Sequence, residues 1–295
     1  MNLSILYRGP LSSCNYGCEY CPFAKHHETD DEHAQDAQAL ARFVSWVEEH
    51  SAHRFSIFFT PWGEALIRKR YQDAIAHLTN LSNVDKVAIQ TNGSCRFDWV
   101  EACDKSKLGL WVTYHPTQTS RAKFVARCRE MKRRGVRFSV GVVGLREHFE
   151  EIEALRRELP SDVYLWVNAF KRIDGYYEQA ESEWLEAIDP LFPINNQHHA
   201  SLGKSCRAGQ SVFAVDGEGT MRRCHFVKLP IGNIYHPNWL QALRPRACPN
   251  DTCGCHIGYV HLDELQLDET FGAGLLERIP NQTPSKYFGR GMDSG

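Results

Sequence analysis

Three cysteines lie within eight residues near the start of this 295-residue chain. Cys14, Cys18 and Cys21 are spaced C-x3-C-x2-C in the stretch SSCNYGCEYCPFA. Zinc sites usually combine two C-x2-4-C pairs, whereas three thiolates on one loop can hold three corners of an Fe4S4 cube and leave its fourth iron open. An open iron suits the binding of a substrate or cofactor. The alternative is a zinc or redox site that a distant Cys or His completes.

A second group of cysteines lies in the last third of the chain. Its members are Cys206, Cys224, Cys248, Cys253 and Cys255. The segment SVFAVDGEGTMRR between the first two predicts a hairpin with Gly219 in its turn, which would bring both thiols to one metal. A structural zinc site is the alternative, since His256 and His261 are further candidate ligands nearby.

An alternation of strand and helix patterns must position the first cysteine loop. We expect strands over residues 3–8, 54–60, 84–91, 108–114, 136–143 and 162–168. Helical spacing of apolar residues follows at 33–50, 65–79, 97–105, 119–134 and 147–159. Six strands that alternate with five helices through short connections predict a parallel sheet covered by helices. Ligands of such sheets bind at the carboxyl ends of the strands, where the cysteine loop begins.

The cysteine triplet, with Tyr20 just before Cys21, resembles the C-x3-C-x-aromatic-C signature of the radical S-adenosylmethionine (SAM) superfamily. The resemblance covers roughly residues 3–190. It implies an α/β fold, a partial (β/α)6 TIM-type barrel, and an Fe4S4 cluster whose open iron chelates S-adenosyl-L-methionine. In this family an electron from the reduced cluster cleaves SAM to methionine and a 5′-deoxyadenosyl radical, and the protein supplies orientation and shielding.

Weaker motifs follow in the order that the resemblance implies. TPWGEAL keeps Gly63 and Glu64 of a family Gly-Gly-Glu-Pro motif, but has Trp62 in place of a glycine. The retained carboxylate implies a contact with the SAM ammonium group. In QTNGS, the resemblance implies that Thr91 and Asn92 contact the SAM carboxylate or ribose. The alternative is a simple turn, since Asn-Gly is common in turns. Tyr20 belongs to the same cofactor-binding set.

Three further expectations concern strand ends. A segment of the fifth strand resembles a family motif that packs on adenine, although it lacks the first glycine of that motif. The resemblance implies that Val142 contacts the adenine of SAM. His115 and Asn168 end the fourth and sixth strands, so we expect them on the substrate side as the tentative catalytic residues. Arg8 and Arg172 also follow strands. For His115 the alternative is a structural histidine before a proline.

The second cysteine group resembles the C-terminal auxiliary-cluster domains of radical SAM enzymes. These are called SPASM with two Fe4S4 clusters and twitch with one. Five cysteines fit one auxiliary cluster, the twitch-like case, and leave open which four are ligands. The implied organisation is a barrel over residues 1–195, an auxiliary domain over 196–270 and a tail over 271–295.

Composition limits the other function classes. The formal net charge of −2 gives no signal for nucleic-acid binding, and no apolar run approaches the ~18 residues of a membrane helix. The start MNLSILYRGP lacks the pattern of a signal peptide, so we expect a cytoplasmic protein. Eight of the 11 cysteines fall in the two groups. In a reducing compartment such grouping indicates metal binding instead of disulfides.

The sequence therefore predicts an oxygen-sensitive radical SAM enzyme, an oxidoreductase or a peptide-modifying maturase. We expect the radical to take a hydrogen atom from a peptide, a protein or a small molecule, while the auxiliary cluster assists electron transfer or substrate binding. An external flavodoxin- or ferredoxin-type protein would supply the electron. The alternatives are a non-catalytic iron–sulfur electron carrier or a zinc-bound interaction module. The residues leave open the substrate, the reaction outcome (including a redox-neutral rearrangement) and the oligomeric state.

Overall fold

The computed structural model of the chain describes residues 1–23 and 27–281. The strands are β1 Asn2–Arg8, β2 Arg54–Phe59, β3 Val84–Thr91, β4 Leu108–Tyr114, β5 Arg137–Val143, β6 Leu165–Asn168, β7 His199–Ala200, β8 Val212–Asp216, β9 Thr220–Arg222, β10 Pro230–Asn233 and β11 Thr252–Cys253. The α-helices are α1 Asp30–Glu49, α2 Lys69–Asn80, α3 Arg121–Arg133, α4 Phe149–Glu158, α5 Gln179–Ile188, α6 Phe192–Asn195, α7 His256–Tyr259 and α8 Leu267–Phe271. No described helix combines the length and apolar character that spanning a membrane requires.

Nine strands form one mixed, mostly parallel sheet in the order β10-β9-β8-β1-β2-β3-β4-β5-β6. Strands β1 to β6 are parallel neighbours in sequence order, as the alternating pattern predicts. One predicted helix differs, because the segment at 97–105 forms a short 3-10 helix, Asp98–Ala102. Since the first six strands are parallel, their carboxyl ends lie along one edge, where a ligand site is expected.

Alternate residues of each strand face two different cores. Leu3, Ile5 and Tyr7 of β1 pack in the core beneath the helices. Leu6 points to the opposite face and packs in a second core, which includes Trp111 of β4 and Trp166 of β6. The two-residue period of a strand produces this division. We call the second of these surfaces the inner face of the sheet.

The hairpin of the second cysteine group extends the main sheet. Strand β8 pairs in parallel with β1, from Ser4 with Val212 to Arg8 with Asp216, and β9 returns antiparallel to β8. Strands β7 and β11 form a separate two-stranded sheet that carries Cys253. The predicted domain boundaries at 195 and 270 stay predictions.

The segment 271–281, assigned to a tail from its sequence, packs against the inner face of the sheet. The buried Glu277 carboxylate lies 2.6 Å from Lys86 Nζ and 3.3 Å from Arg137 Nε. The Glu277 carbonyl oxygen accepts a hydrogen bond from Ser139 Oγ at 2.5 Å. Weak periodicity concealed this packing because the segment contacts the sheet through single side chains instead of a repeating face. Residues 282–295 lie outside the described residues.

Candidate functional site

The cysteine triplet lines a solvent-open cavity at the carboxyl ends of the first parallel strands. The cavity gathers all three thiols and most of the predicted strand-end residues, namely Gly63, Glu64, Thr91, Asn92 and His115. The strand order therefore assembles the predicted site from four separate segments.

The backbone of the cysteine loop runs against the segment that follows β2. Trp62 N donates to the Leu11 carbonyl at 3.2 Å, and Glu64 N donates to the Ser13 carbonyl at 3.0 Å. A Cβ atom on Gly63 would overlap the Ser13 carbonyl. A glycine is therefore required at this position by close backbone approach.

Two carboxylates hold the start of the cysteine loop. Asp36 of α1 is fully buried and accepts from Leu11 N at 3.2 Å and from Tyr71 Oη at 2.8 Å. Glu28 accepts from Ser12 N at 2.6 Å. Hydrogen bonds to charged acceptors are the stronger kind, so these contacts fix the loop to the helical layer before its first thiol.

Glu64 joins the ends of β2 and β3. Its buried carboxylate accepts from Leu66 N at 3.0 Å, Thr91 Oγ1 at 2.7 Å and Asn92 N at 2.5 Å. Burial raises the pKa of Glu64, while these hydrogen bonds oppose the shift. A carboxylate has about four acceptor positions, so one remains for a ligand donor. Glu64 thus positions Thr91 and Asn92, and its contact with an ammonium group stays a prediction.

Asn92 connects β3 to the first thiol. Its Nδ2 donates to Asn15 Oδ1 at 3.0 Å and lies 3.8 Å from Cys14 Sγ. Tyr16 N donates to the same sulfur at 3.4 Å, and burial raises the pKa of Cys14. Gly93 has φ of +65°, so the Asn-Gly pair forms a turn. Asn92 is therefore both a turn residue and a residue of the site.

The second thiol lies beside His115. Cys18 Sγ is 3.4 Å from His115 Nδ1, and Tyr20 Oη is 2.7 Å from the same nitrogen. Burial, followed by the charge of His148, lowers the pKa of His115 to about 4. The imidazole is therefore neutral at pH 7. Its tautomer decides whether Nδ1 donates a hydrogen bond or accepts one from the Tyr20 hydroxyl or the Cys18 thiol. Tyr20 points to this histidine, and Tyr16, which sequence reasoning missed, lines the cavity instead.

The structure does not bring Val142 to the cavity. Its side chain is fully buried in the helix-facing core with Val140 of the same strand and Ile152 of α4. Gly141 faces the opposite way, because a Cβ there would lie 2.7 Å from Trp111 Nε1. Alternation along β5 thus places Val142 on the face away from the inner core. The motif lacked its first glycine, which was the one sequence signal against this assignment.

The donor set of the first loop fits an Fe4S4 cube with three protein ligands. The three thiols line one cavity and interact electrostatically with one another, Cys14 with Cys21 and Cys18 with both. Within residues 1–23 and 27–281 no three Cys, His, Asp or Glu side chains are placed to hold a single metal ion. A cube takes each thiolate on a different iron, so its ligands surround a space and do not converge on a point.

Four thiols of the second group are neighbours. Cys248 N donates to the carbonyl of Lys204, two residues before Cys206, at 3.0 Å. Cys253 Sγ lies against Gly258, where an added Cβ would be 2.7 Å from the sulfur and 3.1 Å from the Phe226 ring. Phe226 follows Cys224 by two residues. Electrostatic interactions connect Cys206, Cys224, Cys248 and Cys253, and Cys253 also interacts with Cys255.

The fifth thiol, Cys255, faces a different environment. It interacts electrostatically with Arg8, Lys171 and Arg278. Lys171 follows β6 next to the predicted Arg172, and no spacing signal marked it. Arg278 escaped notice because it lies in the segment assigned to the tail. Arg8, which ends β1, was expected at the strand ends and lines the first cavity.

The two histidines near the second group contact other parts of the chain. His256 packs against Trp166 and Phe271, with ring centroids 5.0 and 5.2 Å apart. His261 lines a different cavity together with Ser4 and Lys86 near the amino ends of the strands. The grouped donors of this region are therefore sulfur atoms, and sulfur alone is a donor set of iron–sulfur clusters as well as of zinc.

Comparison with known proteins shows a shared fold. No protein-family model matches the chain, and no curated protein matches it. Native anSMEcpe with bound AdoMet matches with a TM-score of 0.54 at 15% identity, over 81% of this chain and 80% of that chain. The same protein with bound AdoMet and Kp18Cys peptide gives 0.55 at 14% identity, over 82% and 80%. The chain is thus similar in fold to a protein that has been solved with AdoMet.

Proposed function

We propose that this chain is a radical SAM enzyme built on a partial (β/α)6 barrel. The observation that carries the proposal is the meeting of Cys14, Cys18 and Cys21 at one cavity on the carboxyl edge of the parallel strands. A fold similar to that of anSMEcpe with bound AdoMet supports it. The C-x3-C-x-aromatic-C spacing supports it independently of the fold.

In this proposal the three thiols hold three irons of an Fe4S4 cluster and leave the fourth for SAM. Gly63, Glu64, Thr91 and Asn92 line the same cavity and would bind the amino and carboxylate groups of SAM. When bound and reduced, such a cluster would supply the electron for cleavage of SAM to methionine and a 5′-deoxyadenosyl radical. Glu64 keeps the ends of β2 and β3 in register for that contact.

Aromatic side chains would limit the access of water to the site. The Phe23 and Trp62 rings lie 4.5 Å apart at the cavity, and the Arg8 guanidinium stacks on Trp62 at 4.0 Å. Trp62 occupies the position of a family glycine. A closed, poorly hydrated site protects a reactive intermediate from side reactions. His115, which follows β4, and Asn168, which ends β6, would face the substrate.

We further propose that the second cysteine group holds one auxiliary Fe4S4 cluster in a twitch-like domain over residues 196–270. Its ligands would be the four neighbouring thiols, Cys206, Cys224, Cys248 and Cys253. Cys255 is then the surplus cysteine, since its electrostatic neighbours include three cations. The auxiliary cluster would accept or conduct the electron left on the substrate, or bind the substrate.

The partners follow from the same proposal. A peptide or protein substrate is supported by the peptide bound in the similar structure, and a small molecule is the other class. A cytoplasmic flavodoxin- or ferredoxin-type protein would reduce the first cluster. Net oxidation and redox-neutral rearrangement remain the two outcomes to be separated once a substrate is known.

The decisive experiment is anaerobic reconstitution with iron and sulfide, reduction by dithionite, and addition of SAM. We expect 5′-deoxyadenosine by mass spectrometry and a SAM-dependent change in the EPR signal of the reduced cluster. An electron carrier would keep an unchanged EPR signal and form no 5′-deoxyadenosine, because none of its irons would be open. A zinc-bound interaction module would contain zinc in place of iron.

A further inference from the structure

Three cations lie at the carboxyl edge of the sheet without a carboxylate partner. Arg8 ends β1, Lys171 follows β6 by three residues, and Arg278 reaches the end of β6 from the C-terminal segment. None of the three forms an ion pair with a carboxylate in the part of the chain that the structure describes. Most other buried or half-buried cations of the sheet are paired, as Lys86 is with Glu277 at 2.6 Å.

Arg278 is the most deeply buried of the three, at 3% exposure. Its guanidinium stacks on Trp111 at 3.4 Å, and its Nη1 donates to Asn168 Oδ1 at 2.7 Å. Its Nε is buried and has no hydrogen-bond partner among the described residues. A buried donor without an acceptor is costly, so an acceptor that the protein does not supply would be bound favourably here.

The other two cations are held by neutral groups. Lys171 Nζ donates to the carbonyl oxygens of Asn195 at 2.5 Å and Gln197 at 3.2 Å, and also to that of Gly254. Arg8 Nε donates to the Thr60 carbonyl at 2.7 Å, and the Arg8 guanidinium stacks on the Trp62 ring. The three carbonyl oxygens take all three donors of Lys171, so this residue contributes its positive charge, while the guanidinium groups supply the N–H donors.

The three positive charges lie at the carboxyl edge on the inner face of the sheet. Arg278 is bound at Asn168, which ends β6, and Arg8 follows Leu6 of the inner face by two residues along β1. Lys171 donates to the carbonyl of Gly254, which precedes Cys255, and each of the three cations interacts electrostatically with Cys255. Arg8 also lines the cavity of the first cysteine group, so the three cations lie between the two groups. Asp189 is a buried acid that interacts with Arg278, but its own hydrogen bonds come from backbone groups, Val167 N and Leu191 N, and from Tyr164.

We propose that Arg8, Lys171 and Arg278 form a binding site for an oxygen anion of the substrate, a carboxylate or a phosphate, between the two cysteine groups. Buried charges are stabilised by a partner of opposite sign with hydrogen-bonding capacity, and guanidinium groups bind both anions through two parallel N–H donors. The proposal rests on the proposed function for the identity of the substrate site. It narrows the substrate to molecules that carry such an anion near the reacting carbon.

The test measures the binding of inorganic phosphate and of acetate to anaerobically reconstituted full-length protein by calorimetry, both without SAM and with SAM present. We expect one of the two anions to bind, and Lys171→Met and Arg8→Gln each to weaken its binding at least about tenfold. Arg42→Gln is the control, because Arg42 stacks on Tyr235 at 3.6 Å much as Arg8 stacks on Trp62. We do not use a variant of Arg278, because removing this buried side chain could prevent folding.

Three results would overturn the proposal. Unchanged binding in both variants would place the anion elsewhere, and absence of binding by either anion would remove the site. Displacement of the anion by SAM would mean that the cations hold the SAM carboxylate. Formation of 5′-deoxyadenosine in the same preparations, without added anion, tests the proposed function separately. An enzyme that cleaves SAM but binds no anion would therefore disprove this inference alone.

Discussion

The two cysteine groups are built in opposite ways. The first takes its three thiols from eight consecutive residues, and the rest of the fold supplies the cavity around them. The second takes its thiols from three segments that only the folded chain brings together, through the β8–β9 hairpin and the small β7–β11 sheet. A local ligand set can leave one coordination position open for chemistry, whereas a dispersed set ties the chain together.

The two groups also differ in the charge of the residues that surround their sulfur atoms. Near the first loop, neutral donors such as Tyr16 N and Asn92 Nδ2 approach a sulfur atom. Near the second group, cations interact electrostatically with Cys255. The sulfur atoms of the first group thus have neutral donors as neighbours, whereas Cys255 of the second group has cations.

Cys18→Ala offers the largest expected effect and tests the local character of the first group. Loss of one of three thiolates should release the first cluster and abolish 5′-deoxyadenosine formation, measured by mass spectrometry under reducing conditions. Cys128→Ala is the matched control, because Cys128 is buried on α3, away from both groups. A Cys18→Ala protein that still cleaves SAM would contradict the assignment of this loop.

A pair of variants sharpens the division within the second group. Cys224→Ala should reduce the iron content from about eight to about four per chain, since the auxiliary cluster would lose one of its four proposed ligands. Cys255→Ala should keep about eight, because we place it outside the ligand set. Iron analysis and Mössbauer spectra of the two proteins decide this. Equal iron loss in both would show that Cys255 is a ligand, and four irons plus one zinc in the wild type would restore the zinc alternative.

The ion pair between Lys86 and Glu277 tests the cohesion of the C-terminal segment. Glu277→Leu leaves Lys86 unpaired in a site where its side chain is 9% exposed, which should cost about 3–5 kcal/mol in the free energy of unfolding. Lys86→Met combined with Glu277→Leu should recover most of this loss, because the pair is then replaced by apolar groups. Urea titration followed by circular dichroism measures both. No recovery in the double variant would mean that Arg137 is the more important partner.

Tyr20→Phe should have the smallest effect. It removes the hydroxyl that lies 2.7 Å from His115 Nδ1 and should lower the free energy of unfolding by about 1 kcal/mol. Cleavage of SAM should persist, since Tyr16 and not Tyr20 lines the cavity. A complete loss of cleavage would show that Tyr20 contacts the cofactor directly, as the family resemblance implies.

Much of the parallel sheet was predictable because strands buried on both faces appear as continuous apolar runs, and the alternation with helices fixes their order. The first site was predictable for a related reason, since a motif on one loop and motifs at strand ends meet whenever the strands are parallel. The outward orientation of Val142 was not predictable from the motif, because a shift of one residue along a strand reverses its face.

The second group and its surroundings were less accessible from sequence. Spacing alone shows five thiols and cannot show that one of them faces cations from β1, from the loop after β6 and from the C-terminal segment. Lys171 and Arg278 are 107 positions apart and carry no pattern. Their juxtaposition depends on tertiary packing, which a single sequence does not encode in periodicity.

The pairing of β1 with β8 has a consequence for the order of folding. Ser4 pairs with Val212, about 200 residues later, and pairings of such large sequence separation form slowly because loop closure must precede them. We therefore expect β1, the strand that leads into the cysteine loop, to gain its second neighbour late in folding, when β8 arrives.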